Sequence, residues 1–257
     1  MPSPLKLLSV VLISAIAGVI NAIAGGGTLL TFPALIGLGI PPLVANATST
    51  VAIWPGTLGS IWGYRSELSG AGKWAAGFAV PSFLGGALGA WLLLRTPAAR
   101  FNALVPYLVL GATMLFVIRG PLMRWMRHAP RAADDVELTR HYPPAGVLAA
   151  QFLVGVYGGY FGAGIGILML AVLGFMGLSN IHRMNGLKNW GGLCMNAVAA
   201  VMFAFSALVN WPVALSMAIG SIAGGYFGSR GAQRVPQQAV RVAVIVIGLA
   251  SGVWLFF

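Results

Sequence analysis

Apolar residues arrive in runs near twenty long, broken only by glycines, prolines and a few cations, and this spacing constrains the fold more than any other feature. The first run is Leu7–Ile20, and others follow at about 43–64, 73–95, 99–118, 183–206, 211–230 and 236–257. Each of the later runs approaches the ~20 residues that an α-helix needs to cross the ~30 Å hydrocarbon layer of a bilayer. Only 7% of the 257 residues are charged, whereas 58% are hydrophobic. An ordinary soluble domain carries roughly 25% charged residues, so this chain cannot cover a water-facing surface. The runs predict an all-α, polytopic membrane protein.

The net charge of +11 comes from fifteen Lys and Arg against four acids. Most of these cations flank apolar runs, where they set orientation and meet anionic headgroups; they give no reason to expect a nucleic-acid partner. Cys194 is the sole cysteine, which excludes an intrachain disulfide and a cysteine metal cluster. Lys6, the run Leu7–Ile20 and Ala22-Ile23-Ala24 imitate a secretory signal. Further apolar segments follow at once and a related segment recurs later, so the stretch is expected to stay in the mature protein.

That recurrence is a duplication. At a shift of 139, Asn46 meets Asn185, Gly85-Gly86-x-x-Gly89 meets Gly224-Gly225-x-x-Gly228, and Arg95-x-Pro97 meets Arg234-x-Pro236. Nearer the start the shift is 137, pairing Gly18 with Gly155, Gly25 with Gly162 and Gly27 with Gly164. The chain thus divides into a first transmembrane repeat (1–118), a polar connector (119–143) and a second transmembrane repeat (144–257). The connector holds five arginines and three of the four acids, Asp134, Asp135 and Glu137. It reads as a solvated, cytoplasmic linker. Each half opens with a glycine-interrupted stretch (7–24 then 28–39; 145–161 then 165–177), a hairpin or discontinuous helix, followed by three spanning helices.

Charge sets the orientation. If each interrupted stretch crosses once, the halves are parallel and the flanking cations divide eight against six. If each returns to its own side, the halves are inverted and eleven cations face the cytoplasm against three outside, Lys6, Arg95 and Arg100. The positive-inside rule favours inverted repeats, a common design of secondary transporters.

Candidate binding groups cluster at the interruptions. Asn21-Ala22-Ile23-Ala24-Gly25-Gly26-Gly27-Thr28 places three consecutive glycines in an apolar run, each costing about 1 kcal/mol of helix stability relative to alanine. In lipid, such a break is tolerated where it lines a cavity or is buried in protein. The exposed amides and the next helix start suit an anion; close helix packing through small residues is the plainer alternative. Gly162, Gly164 and Gly166 repeat the break. Behind each break lies a polar cluster: Asn46, Thr48 and Thr50 in the first half, Asn185, Lys188 and Asn189 in the second. Lys188 stands within an apolar span, where a charge costs several kcal/mol, unless it snorkels to the interface. All four acids fall in expected loops, so no embedded carboxylate is available to relay protons or hold sodium. No HExxH, Walker loop or serine-histidine-aspartate set is present, so neither an enzyme nor a cofactor is implied. Trp62, Trp74, Trp91, Trp211 and Trp254 fit an interfacial aromatic belt. Trp190 is a candidate to line the path.

These segments carry a resemblance. Asn21 to Thr28, Phe32-Pro33-Ala34-Leu35, Ala45-Asn46-Ala47-Thr48-x-Thr50 and Pro55-Gly56-x-Leu58-Gly59-x-x-Trp62-Gly63-Tyr64-Arg65 resemble the first half of the sulfite exporter TauE/SafE family. Residues 154–166 and Arg183-Met184-Asn185-Gly186-Leu187-Lys188-Asn189 are similar to its second half. The resemblance implies a bacterial inner-membrane permease for sulfur oxyanions or organosulfonates such as sulfite or sulfoacetate. The expected partners are that small anion and the lipid bilayer. A passive anion channel and a non-transporting assembly factor remain alternative readings of the same residues.

Overall fold

The computed structural model of the chain describes residues 4–126, 135–231 and 237–256. The connector residues Arg127, Arg131 and Asp134, and Arg234 and Pro236 of the second repeat, lie outside the described residues. Within them the chain forms eleven helices: α1 (Pro4–Ile23), α2 (Thr28–Gly37), α3 (Pro42–Gly63), α4 (Gly72–Arg95), α5 (Ala98–Met126), α6 (Asp135–Arg140), α7 (Ala145–Tyr160), α8 (Ile165–Phe175), α9 (Ile181–Ala204), α10 (Trp211–Gly231) and α11 (Gln237–Trp254). Helices are the expected outcome in lipid, because each satisfies its own backbone hydrogen bonds.

Among the described residues, three stretches are long and apolar enough to cross a membrane, Lys6–Ile23, Gly72–Arg95 and Ala98–Ile118. The sequence reading expected three ordinary spans in each half. In the structure α3 and α9 have the length but not the hydropathy, because they hold the buried polar residues: Asn46, Thr48 and Ser49 on α3, Asn185, Lys188 and Asn189 on α9. Those polar residues are buried in the protein interior, while Leu58 and Trp62 of α3 and Val201 of α9 stay exposed.

Glycine seams join the two halves. A Cβ placed on Gly85, Gly86 or Gly89 of α4 would strike backbone of α7 or α9, and one on Gly224, Gly225 or Gly228 of α10 would strike α1 or α3. A tight crossing is therefore present twice, each time between elements from different halves. Along these seams Gly220 faces Val11 and Gly228 faces Val19, so α1 and α10 run parallel. Gly56 faces Ser221 and Gly63 faces Ser229, so α3 shares that direction. Gly85 faces Phe152 and Gly89 faces Val156, so α4 and α7 are parallel to each other. Where the two sets meet, the start of α9 lies against the end of α3: Arg183 Nη1 donates to Glu67 O at 3.0 Å. The start of α3 reaches the far end of α9 through Thr48, whose hydroxyl accepts from Asn210 N at 3.0 Å. These two helices are antiparallel.

Three expectations are corrected here. The connector is not wholly a solvated linker, since α5 runs on to Met126 and residues 135–140 form α6, which docks on the chain. The Asp135 carboxylate accepts from Ser179 N at 3.0 Å and Asn180 N at 2.6 Å, just ahead of α9. Thr139 Oγ1 accepts from both Nε and Nη2 of Arg183. Arg183, counted as an orienting surface cation, is buried and ties α6, α9 and the turn after α3 together. Trp74 is not at the interface; it is 1% exposed and packs with Phe78 in a cluster under α6 and α9. Trp62, Trp91, Trp211 and Trp254 are exposed, as an interfacial belt requires.

Candidate anion site

Both interrupted helices stop in the same way. Ala24 N and Gly25 N each donate to Ile20 O, and Phe161 N and Gly162 N each donate to Tyr157 O. In each case the glycine two residues past the helix takes a left-handed backbone, φ +78° at Gly25 and +77° at Gly162, a conformation that costs other residues energy. Three residues later the chain turns helical again, as α2 and as α8.

The new helices begin without a side-chain cap. Backbone bonding resumes with Leu29 N to Gly26 O in one half and Ile167 N to Gly164 O in the other. Among the described residues, the amides of Gly26, Gly27 and Thr28, and of Ala163, Gly164, Ile165 and Gly166, find no backbone acceptor. An uncapped helix start of this kind carries a partial positive charge.

The two breaks touch. A Cβ on Gly166 would meet Gly25 Cα at 2.5 Å and Lys188 Cδ at 3.1 Å, so glycine is required at this contact. Phe161, at the second break, packs edge-on against Phe32 of α2 at 5.2 Å. From α5, the Phe116 ring covers Gly26, and Ala112 and Leu115 lie beside Gly164. The breaks are enclosed in protein, the condition under which irregular backbone survives at membrane depth.

Each terminating helix is capped from the other half. Lys188 of α9 is 3% exposed, and its ammonium donates to Asn21 O and Ala22 O, both at 3.1 Å, at the end of α1. Asn46 of α3 donates from Nδ2 to Tyr160 O at 2.9 Å, at the end of α7. Snorkelling of Lys188 to the headgroups is thereby excluded. A cation beside α1's C-terminal carbonyls complements the negative end of that helix, and it leaves a buried ammonium next to two uncapped helix starts.

The remaining candidates divide. Asn185 and Asn189 are buried on either side of Lys188, and Asn185 Oδ1, Asn189 Nδ2 and Asn46 Oδ1 have no hydrogen-bond partner among the described residues. Unsatisfied amide groups at such depth are costly and suit a ligand that supplies the missing bond. Thr50 Oγ1 bonds back to Asn46 O at 3.0 Å, and the Thr48 hydroxyl serves Asn210; both are occupied by the fold. Thr28 is half-buried as the first residue of α2. Trp190 donates Nε1 to Ala75 O at 2.7 Å and pins α9 to α4.

Sequence reasoning missed the buried pair Thr31 and Ser49, whose hydroxyls lie 2.7 Å apart, and Tyr157, whose hydroxyl donates to Ala163 O at 2.8 Å inside the second break. Ser49 is the counterpart of Lys188 at the 139 shift, so the duplication itself pointed to it. Nothing in the sequence marked Phe116, an aromatic in an ordinary apolar run.

With this arrangement in view, comparison with known proteins is decisive. The family described as Sulfite exporter TauE/SafE matches residues 10–255. The chain belongs to that family. Proteins similar to it include a probable membrane transporter protein, ORF9, of Sinorhizobium sp, 28% identical over 96% of this chain and 91% of the relative. A probable membrane transporter protein of Haemophilus influenzae is 28% identical over 90% and 87%. The probable membrane transporter protein YfcA of Escherichia coli (strain K12) is 26% identical over 100% and 92%. The protein is a membrane transporter of the TauE/SafE family, and the apposed glycine breaks lie within the matched region.

Proposed function

We propose that the chain is a secondary carrier for a small anion of the sulfur oxyanion or organosulfonate class, such as sulfite or sulfoacetate, bound where the two breaks meet. One observation carries the reading: Gly25 and Gly166 are in contact beside the buried ammonium of Lys188. The amides of residues 26–28 and 163–166 supply donors to the oxygens, Lys188 supplies charge, and Asn185 and Asn189 supply directional bonds. A trigonal or tetrahedral oxyanion can accept from several directions at once, which matches donors arriving from two opposed helix starts.

The halves act as inverted repeats in a bacterial inner membrane. The antiparallel run of α3 and α9, and the parallel run of α1 with α10 and of α7 with α4, support this arrangement. The end that carries Arg65, Lys73, Arg140, Arg183, Arg230 and Arg241 faces the cytoplasm by the positive-inside rule. Access alternates as one half rocks against the other around the touching breaks. Each break is capped by the opposite half, so movement of the halves necessarily disturbs both caps.

Purified protein in proteoliposomes preloaded with sulfite is expected to give saturable counterflow of labelled sulfite, with sulfoacetate competing. Conductance that rises linearly with voltage, without counterflow, contradicts a carrier. Absence of any sulfite or sulfonate flux contradicts the substrate class.

A further inference from the structure

The two interrupted helices end alike but are capped by unlike charges. Lys188 brings a full positive charge to the carbonyls of Asn21 and Ala22 at the end of α1. At the shift of 139 its counterpart is Ser49, and the helix end that α3 serves is that of α7, through the Asn46 bond to Tyr160 O. The negative pole of a helix therefore meets an ammonium in one half and the neutral Asn46 in the other.

Acceptors collect at this second pole. Tyr160 O is a carbonyl, so Asn46 must present its amide nitrogen to it, and the carboxamide cannot turn over without losing that bond. Its Oδ1 is consequently an acceptor at the same helix end, buried and with no partner among the described residues. Gly162 N turns back to Tyr157 O at 3.2 Å, so among the described residues Gly158 O lacks the amide that would continue the helix. One turn along α3 from Asn46, the buried Ser49 hydroxyl lies 2.7 Å from that of Thr31, which itself donates to Gly27 O at 3.4 Å. With Ser49 donating to Thr31, the lone pairs of Ser49 Oγ face outward from that pair. The second pole also has room. A Cβ on Gly25 would collide with the Gly166 backbone, whereas one on Gly162 would find, beyond its chain neighbours, only Gly158 O within 4 Å, at 3.1 Å. Gly162 is half-buried, so this space can be reached.

We infer that the end of α7 is a binding site for a monovalent alkali cation such as sodium, held by Asn46 Oδ1, Gly158 O and Ser49 Oγ. The cation does for α7 what the Lys188 ammonium does for α1. Hard cations take oxygen ligands, and the carbonyls of unwound backbone and of half-helix ends serve them at membrane depth. Neutral oxygens and the half charge of a helix end balance one positive charge rather than two. No carboxylate takes part, so the site needs no embedded acid. It is built from the carbonyl end of α7, not from the amides assigned to the anion, and it does not rest on the substrate reading.

The test is thermal unfolding of the purified full chain without sulfite, with sodium chloride replacing choline chloride at constant ionic strength. Wild type is expected to gain melting temperature saturably as sodium rises, because a cation that binds the folded state stabilises it. Asn46→Ala and Ser49→Ala should each raise the half-saturating sodium concentration about tenfold, the loss of one ligand oxygen. Ser49→Lys, which supplies the ammonium that the first half already has, should unfold at the same temperature in sodium and in choline. Ser60→Ala removes a buried hydroxyl of α3 that bonds to Gly56 O instead, and should keep the wild-type response. Circular dichroism in choline establishes that each variant is folded. Equal melting of wild type in sodium and choline overturns the assignment, and so does an undiminished sodium response in both Asn46→Ala and Ser49→Ala. Sulfite is absent throughout, so a wrong substrate class leaves this result untouched.

Discussion

Replacing Lys188 by methionine separates two roles that the structure assigns to one ammonium. Its Nζ lies 3.1 Å from both Asn21 O and Ala22 O. A hydrogen bond to a charged donor contributes about 1.5–3 kcal/mol, and a thioether donates nothing. The variant strands two carbonyls at the end of α1, but it also removes a charge that was costly to desolvate. The net loss of stability should therefore be about 2–4 kcal/mol. Anion binding should suffer for a different reason. A unit charge about 4 Å from an anion contributes ~4 kcal/mol at an effective dielectric of ~20, and 1.4 kcal/mol is about tenfold in affinity. Sulfite should therefore bind roughly 100- to 1000-fold more weakly. Thermal unfolding of purified protein, repeated across a sulfite titration, reads both quantities. Lys188→Arg, which keeps the charge, should retain most of the ligand response. If Lys188→Met unfolds early yet binds sulfite with unchanged affinity, the ammonium is a helix cap and nothing more.

Other consequences follow from the same contacts. Gly25→Ala combines a left-handed backbone, costing about 1–2 kcal/mol, with a backbone collision at Gly166, so it should abolish transport and lower the melting temperature. Gly37→Ala, where nothing lies within 4 Å, should be silent in both assays. Asn46→Ala removes the cap on Tyr160 O and should slow sulfite counterflow more than it raises the half-saturating concentration, because Asn46 holds the second break in position. Arg183→Met breaks the bonds to Glu67 O, Ser69 O and Thr139 and should destabilise by at least ~3 kcal/mol, measured by chemical unfolding in detergent. On a Cys194→Ser background, an impermeant maleimide added to intact cells should label Ala99→Cys and spare Glu137→Cys; the reverse pattern contradicts the inverted topology.

The interruptions and most helix limits were legible because glycine and proline act locally. Gly25 and Gly162 end helices at sites that a few neighbouring residues determine, and Pro42 starts α3 where its missing amide proton costs nothing. What escaped depends on groups far apart in sequence. Nothing near Lys188 announces that its partners are carbonyls 167 and 166 positions away, and backbone oxygens leave no mark on residue identity. Asp135 and Arg183 looked like a solvated acid and an orienting cation, because burial of a charge by loop backbone is set by tertiary docking. Trp74 failed for a related reason: its place near a span end fits an interfacial belt, but α6 folds over it. The duplication was the most informative long-range signal, since it paired the two breaks that the fold brings into contact.

Anion binding between two opposed helix starts is the function proposed for this protein. Selenite matches sulfite in shape and charge and carries an anomalous scatterer, so diffraction from crystals grown with selenite locates it directly. A single anomalous peak is expected within hydrogen-bonding reach of the amides of residues 26–28 and 163–166, with the Lys188 ammonium alongside. Peaks confined to the exposed arginines at the connector end, with both glycine turns carrying none, would contradict it.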